Sequence, residues 1–122
     1  MILGLDVSTR MTGATVLDKE GKMILNTVWD TRSKSRFPDR FSKAAFIKKS
    51  LFEINKTAKI EAVFIEEPFM FFRSGMSTAK TMSSLQSFNG MISWICKDMY
   101  EVTPVYFTAM QSRKIVGVKI KR

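Results

Sequence analysis

The chain has no histidine and one cysteine, Cys96, among its 122 residues. Without histidine it can build neither an ordinary zinc site nor a Ser-His or Cys-His catalytic pair, and one cysteine excludes an internal disulfide. Any metal must therefore be held by carboxylates. Acid is scarce as well: 11 Asp and Glu stand against 20 Lys and Arg, the net charge is +9, and no acidic residue follows Glu101. Such an excess suits a polyanionic partner, most commonly nucleic acid, and equally a solvated helix face with extra lysine for solubility; the charge alone does not choose between them. No apolar run approaches the roughly 18 residues of a membrane span. The opening MILGLDVSTR lacks the basic start, apolar middle and small-residue cleavage site of a secretory signal, and it carries a charge at Asp6. The expectation is a soluble, cytoplasmic protein, of a bacterial cell or a phage-infected host, with no membrane partner.

What is present fits one domain. A length of 122 residues closes a single core, and 45% hydrophobic content is that of a globular protein. Met1 to Val7 and Thr12 to Leu17 are apolar strands joined by a tight turn. Asp18 to Lys22 is the hairpin turn into a third strand, Met23 to Asp30. Pro38 suits the first turn of a helix, and Phe41, Ala44, Ala45, Ile47, Leu51, Phe52 and Ile54 keep helical spacing to about Lys59. Ala62 to Glu66 is a short buried strand. Ser77 is placed to cap a second helix carrying the stripe Leu85, Phe88, Ile92, Ile95 and Met99, which suits a sheet-facing core. Val102 to Phe107 is a fifth strand, and its Pro104 indicates an edge or a strand start. Thr108 and Gln111 form a capping-box pattern for a last helix, stopped at Gly117. The predicted order is βββαβαβα.

In FIEEPFMFF, residues 64–72, an apolar strand runs into two glutamates, a proline and a burst of aromatics. Asp6 stands near the end of the first strand and Glu66 at the end of the fourth. If those strands are neighbours, both carboxylates emerge at one edge of the sheet. Paired carboxylates in a basic protein can hold magnesium, a hard ion that takes oxygen ligands and keeps positions for water and phosphate. Two such ions about 4 Å apart activate a water and stabilise the leaving oxygen of a phosphodiester. The plain alternative is an ordinary turn aspartate and a solvated strand end.

These residues carry a resemblance. ILGLDVSTRMTGATVLD is similar to the opening motif of the RuvC-type Holliday junction resolvases, and FIEEPF resembles that family's second motif, a strand ending in a catalytic glutamate before aromatics. LQSFNGMISWI is similar to the family's following helix, with Gly90 at a close-packing position. PVYFTAMQSRKIVGVKIKR resembles its late strand, short helix and basic loop. The motifs stand in the family's order over nearly the whole chain.

The resemblance implies an RNase H-like α/β fold: a mixed five-stranded sheet with helices packed on it. It implies a magnesium-dependent endonuclease, manganese substituting, that acts as a homodimer on four-way or other branched DNA in recombination and repair. Carried over, Asp6 and Glu66 are the catalytic, metal-binding carboxylates, and Glu67 is at most an auxiliary ligand. Phe69 takes the place of an aromatic that stacks on a base at the opened junction, with core or dimer packing as the alternative for residues 69–72. Arg113 and Lys114 take the place of basic residues at the scissile phosphate, and Arg73, Lys80, Lys119 and Lys121 complete the DNA-binding set. Met91 and Trp94, off the core stripe, would serve the dimer. The family's last catalytic aspartates lie on a helix beyond the basic loop, in which this chain stops. Either the third carboxylate is lost or the chain is C-terminally truncated, and truncation is the expectation, in which case these 122 residues alone should bind metal poorly and cut slowly or not at all. Two other readings stand beside this one. The first is a non-catalytic branched-DNA-binding module of the same fold. The second is a fragment of an actin-like ATPase or sugar kinase, with Ser8, Thr9 and Thr12 on phosphate, which the length opposes.

Overall fold

The computed structural model describes residues 1–67 and 76–108, with side chains in the second span from residue 79 onward. Five strands and two helices follow one another: β1 (Ile2–Asp6), β2 (Met11–Leu17), β3 (Met23–Asp30), α1 (Arg40–Thr57), β4 (Ala62–Glu66), α2 (Met76–Tyr100) and β5 (Val105–Phe107). The expected final helix from Thr108 lies outside the described residues.

Local chemistry explains the turns. Between β2 and β3, Asp18 accepts from the N–H groups of Glu20 (3.0 Å) and Lys22 (2.8 Å) through its carboxylate. Gly21 there takes φ 84°, a left-handed conformation open to glycine at little cost. The first helix corrects the expectation built on Pro38: its N-cap is Asp39, one residue later. The Asp39 carboxylate accepts from the Ser42 N–H at 2.8 Å, and the Ser42 hydroxyl oxygen accepts from the Asp39 N–H at 3.3 Å, a reciprocal capping box. The second helix starts at Met76, so Ser77 lies inside its first turn rather than at its cap. Pro104 falls directly before β5, where its missing N–H breaks no ladder.

The strand order is β3-β2-β1-β4-β5. The first three strands are antiparallel neighbours, and β4 is parallel to both β1 and β5. The alternation of β1, β2 and β4 sends Leu3, Leu5, Ala14, Val16, Val63 and Ile65 to one face. On that face pack Ala44, Ile47, Leu51 and Ile54 of α1 and Phe88, Ile92, Ile95 and Cys96 of α2. The predicted α2 stripe therefore faces the sheet, with Phe88, Ile92 and Ile95 buried and Leu85 and Met99 half-buried at its ends. Phe41, Ala45 and Phe52 of α1 do not join this core: Phe41 is 62% exposed and Phe52 50%. No helix of the described residues is long and apolar enough to cross a membrane.

Candidate metal centre

Because β1, β4 and β5 are parallel, their carboxyl ends lie at one edge of the sheet, where β2 begins and β3 ends. Leu5 pairs with Ile65, so the next step in register sets Asp6 beside Glu66. Neighbouring strands are about 4.8 Å apart, which brings these two carboxylates within reach of shared cations. Both residues also point to the same face. Leu3 and Leu5 enter the core, so Ile2, Gly4 and Asp6 face the other way, as do Ala62, Phe64 and Glu66. Among the described residues no helix lies on that face. Asp6 is exposed and Glu66 half-buried. Across β1 the partner of Asp6 is Gly13, which has no side chain to cover the carboxylate.

Glu67 stands one step past the register pair. Its N–H donates to the Phe107 carbonyl at 2.8 Å, continuing the ladder to β5, and its side chain is exposed. The end of β4 is also tied from above by α2: the Asn89 amide donates to the Glu66 carbonyl at 3.3 Å. Asn89 is buried, and the Ser93 hydroxyl donates to its carbonyl at 2.8 Å. This pair was not legible as part of the site. An asparagine inside an apolar helical stripe offers only a polar interruption as its signal, and its partner is a backbone atom.

The turn after β1 is fixed by three side chains. Buried Thr12 donates its hydroxyl to the Ser8 carbonyl at 3.1 Å, and its oxygen lies 3.4 Å from the Ser8 N–H. Thr31, also buried, donates to the Thr9 carbonyl at 3.0 Å, and the Lys43 ammonium donates to that same carbonyl at 2.6 Å. The Thr12 hydroxyl, fully buried and engaged with the turn, is not presented to a phosphate, which removes one support of the kinase-like alternative.

Lys80 is exposed on α2. Trp94 is 63% exposed and Met91 half-buried, and the two line an apolar recess between the helices with Phe41, Ala45, Lys48 and Ile95. Gly90 is exposed, and among the described residues nothing outside its own helix backbone and chain neighbours lies within 4 Å of where its Cβ would stand, so no close packing within the described chain calls for a glycine there. Phe69, Arg73, Arg113, Lys114, Lys119 and Lys121 lie outside the described residues. The described residues contain no group of three or more acidic, Cys or His side chains placed to hold a metal. Two carboxylates alone still suit magnesium, which keeps several waters and takes phosphate oxygens as its remaining ligands.

Three antiparallel strands, two parallel crossovers and helices on the core face make this an RNase H-like α/β fold. Within that class the chain resembles Thermus thermophilus RuvC as solved in complex with a Holliday junction substrate. The TM-score is 0.71 at 18% identity, over 97% of this chain and 70% of that one. A second structure of Thermus thermophilus RuvC matches with TM-score 0.61 at 16% identity, over 93% of this chain and 66% of that one. At these identities the likeness establishes the fold. No family model and no curated protein sequence matches the chain.

Proposed function

We propose that this chain is a magnesium-dependent, structure-selective endodeoxyribonuclease that cuts four-way or other branched DNA as a homodimer. The observation that carries the reading is the placement of Asp6 and Glu66 one step beyond the Leu5–Ile65 register pair, on one face at the ends of adjacent parallel strands, in a RuvC-like fold. Magnesium or manganese bound there would supply activation of water and stabilisation of the leaving oxygen. The residues' own part is positional: Asp6 and Glu66 hold oxygen atoms on one side of the sheet, Glu67 adds negative charge beside them, and Asn89 and the turn after β1 fix the two strand ends. A phosphodiester lying across the pair would be hydrolysed, one P–O bond forming to water as the bond to the leaving oxygen breaks. Lys80, Arg73, Arg113, Lys114, Lys119 and Lys121 would hold the DNA backbone, and Met91 and Trp94 would meet their counterparts in a second copy.

Junction selectivity rests on Phe69. In the sequence a proline, a residue of restricted φ, directly precedes it, and an aromatic ring at this position would stack on an unpaired base. Phe69→Ala should then lose roughly 1–3 kcal/mol of affinity for a four-way junction while duplex binding, which rests on phosphates, stays unchanged. Binding of both DNAs is measured by fluorescence anisotropy beside a melting curve. A folded variant with unaltered junction preference would remove the stacking role. Junction binding with no metal-dependent cleavage by a form that extends through the expected C-terminal helix would favour the non-catalytic module.

A further inference from the structure

The edge that carries Asp6 also gathers basic residues to which the reading above gives no part. The connection from β3 to α1 is tethered there, since the Thr31 N–H donates to the Arg10 carbonyl at 2.9 Å. It carries Arg32, Lys34 and Arg36 and leads into Arg40, all of them exposed, as is Arg10. Both acids in this stretch are engaged. Asp30 binds Arg32 through two contacts of 3.0 and 2.8 Å, and Asp39 caps α1. Against these two acids stand Arg10, Arg32, Lys34, Arg36 and Arg40, a net excess of three positive charges, and among the described residues Lys34, Arg36 and Arg40 form no salt bridge.

Two of these arginines are held in place. The Arg36 guanidinium lies 5.0 Å from the Phe37 ring centre and 5.9 Å from that of Phe46, and Arg40 lies 5.3 Å from Phe41. The turn bearing Arg36 is itself bonded, the Phe37 N–H donating to the Ser33 carbonyl at 2.8 Å. Stacking uses the face of a guanidinium and leaves its in-plane N–H groups free for phosphate oxygens, while the ring beneath limits the freedom lost on binding. We propose that Arg10, Lys34, Arg36 and Arg40 form a second phosphate-binding surface, which holds a duplex arm of DNA leading to the Asp6–Glu66 edge. The proposal rests on the nuclease reading only for its choice of DNA as the polyanion.

The test is binding without metal, in chelator, of a four-way junction and a duplex across a salt series. A Lys34→Gln, Arg36→Gln, Arg40→Gln variant should lower the slope of log affinity against log salt by about 0.9 per phosphate contact, about 2.7 for three. The control removes the same charge at the opposite edge, as Lys19→Gln, Lys22→Gln, Lys59→Gln, and should change the slope by less than half as much. If the triple variant melts early, Lys34→Gln with Arg40→Gln keeps the Arg36 stack and should lower the slope by about 1.8. Equal loss in variant and control, or none in either, overturns the proposal even if the wild-type protein cuts junctions. Loss confined to the patch upholds it whether or not these 122 residues cut DNA, and if a form extended through the expected C-terminal helix never cuts, the nuclease reading alone is overturned. A wild-type protein that binds no DNA overturns both.

Discussion

Cys96 is fully buried in α2, and burial pushes its thiol from the ordinary 9.0 up to about 12. Tyr100, whose hydroxyl donates to the Leu51 carbonyl at 2.7 Å, is raised as well, chiefly by burial and further by Cys96. The fold favours the neutral form of each, so their contribution is complete below the ordinary values and is lost as pH rises toward the shifted ones. The melting temperature should therefore fall between about pH 9 and about pH 12, and Cys96→Ala should show a smaller fall than wild type. An equal fall in both, by calorimetry, would remove Cys96 from the effect. At the acid end the sign reverses. Asp30, hydrogen-bonded by Arg32, is lowered to about 2, and that exposed contact is lost as pH drops through this value. Residue by residue, the legible part of the site was what the sequence itself places: acids at the ends of apolar strands. Asn89, Thr12, Thr31 and Lys43 were not legible in this role, because each grips a backbone carbonyl, and a carbonyl leaves no mark on the sequence.

Among the elements, α1 shows where periodicity misleads. Its apolar residues keep helical spacing, but the buried set is Ala44, Ile47, Leu51 and Ile54, and Phe41 and Phe52 stand roughly a third of a turn from that direction. Their rings lie under cations instead, Phe41 beneath Arg40 and Phe52 beneath Lys56. A broad apolar face on a short helix allows several phases, and only packing selects one. Leu51→Ala should thus cost about 2–5 kcal/mol of folding stability, whereas Phe52→Ala, the larger truncation, should cost under about 1 kcal/mol. Urea unfolding of the two variants measures the difference, and comparable losses would mean that Phe52 is part of the core. The bounds of both helices were legible to within about two residues, and so were those of four of the five strands, whose alternation and Gly and Pro punctuation are local signals.

For the whole molecule, the element order through β5 follows from the sequence, but the sheet order does not. That β4 inserts beside β1, rather than beside β3, is a long-range pairing, and the adjacency of Asp6 and Glu66 depends on it entirely. Adjacency of those carboxylates as a cation site is the central claim. Manganese is paramagnetic and broadens nuclear resonances near its site even when it binds weakly, so titrating it into the 122-residue protein while recording amide spectra tests the claim directly. The account predicts that signals from residues 5–8 and 65–67 broaden first. It also predicts that the turn of residues 18–22, which bears Asp18 and Glu20 at the opposite edge, stays sharp, and that Asp6→Asn and Glu66→Gln each abolish the selectivity. Broadening as strong at residues 18–22, or a pattern unchanged in Asp6→Asn, would contradict it.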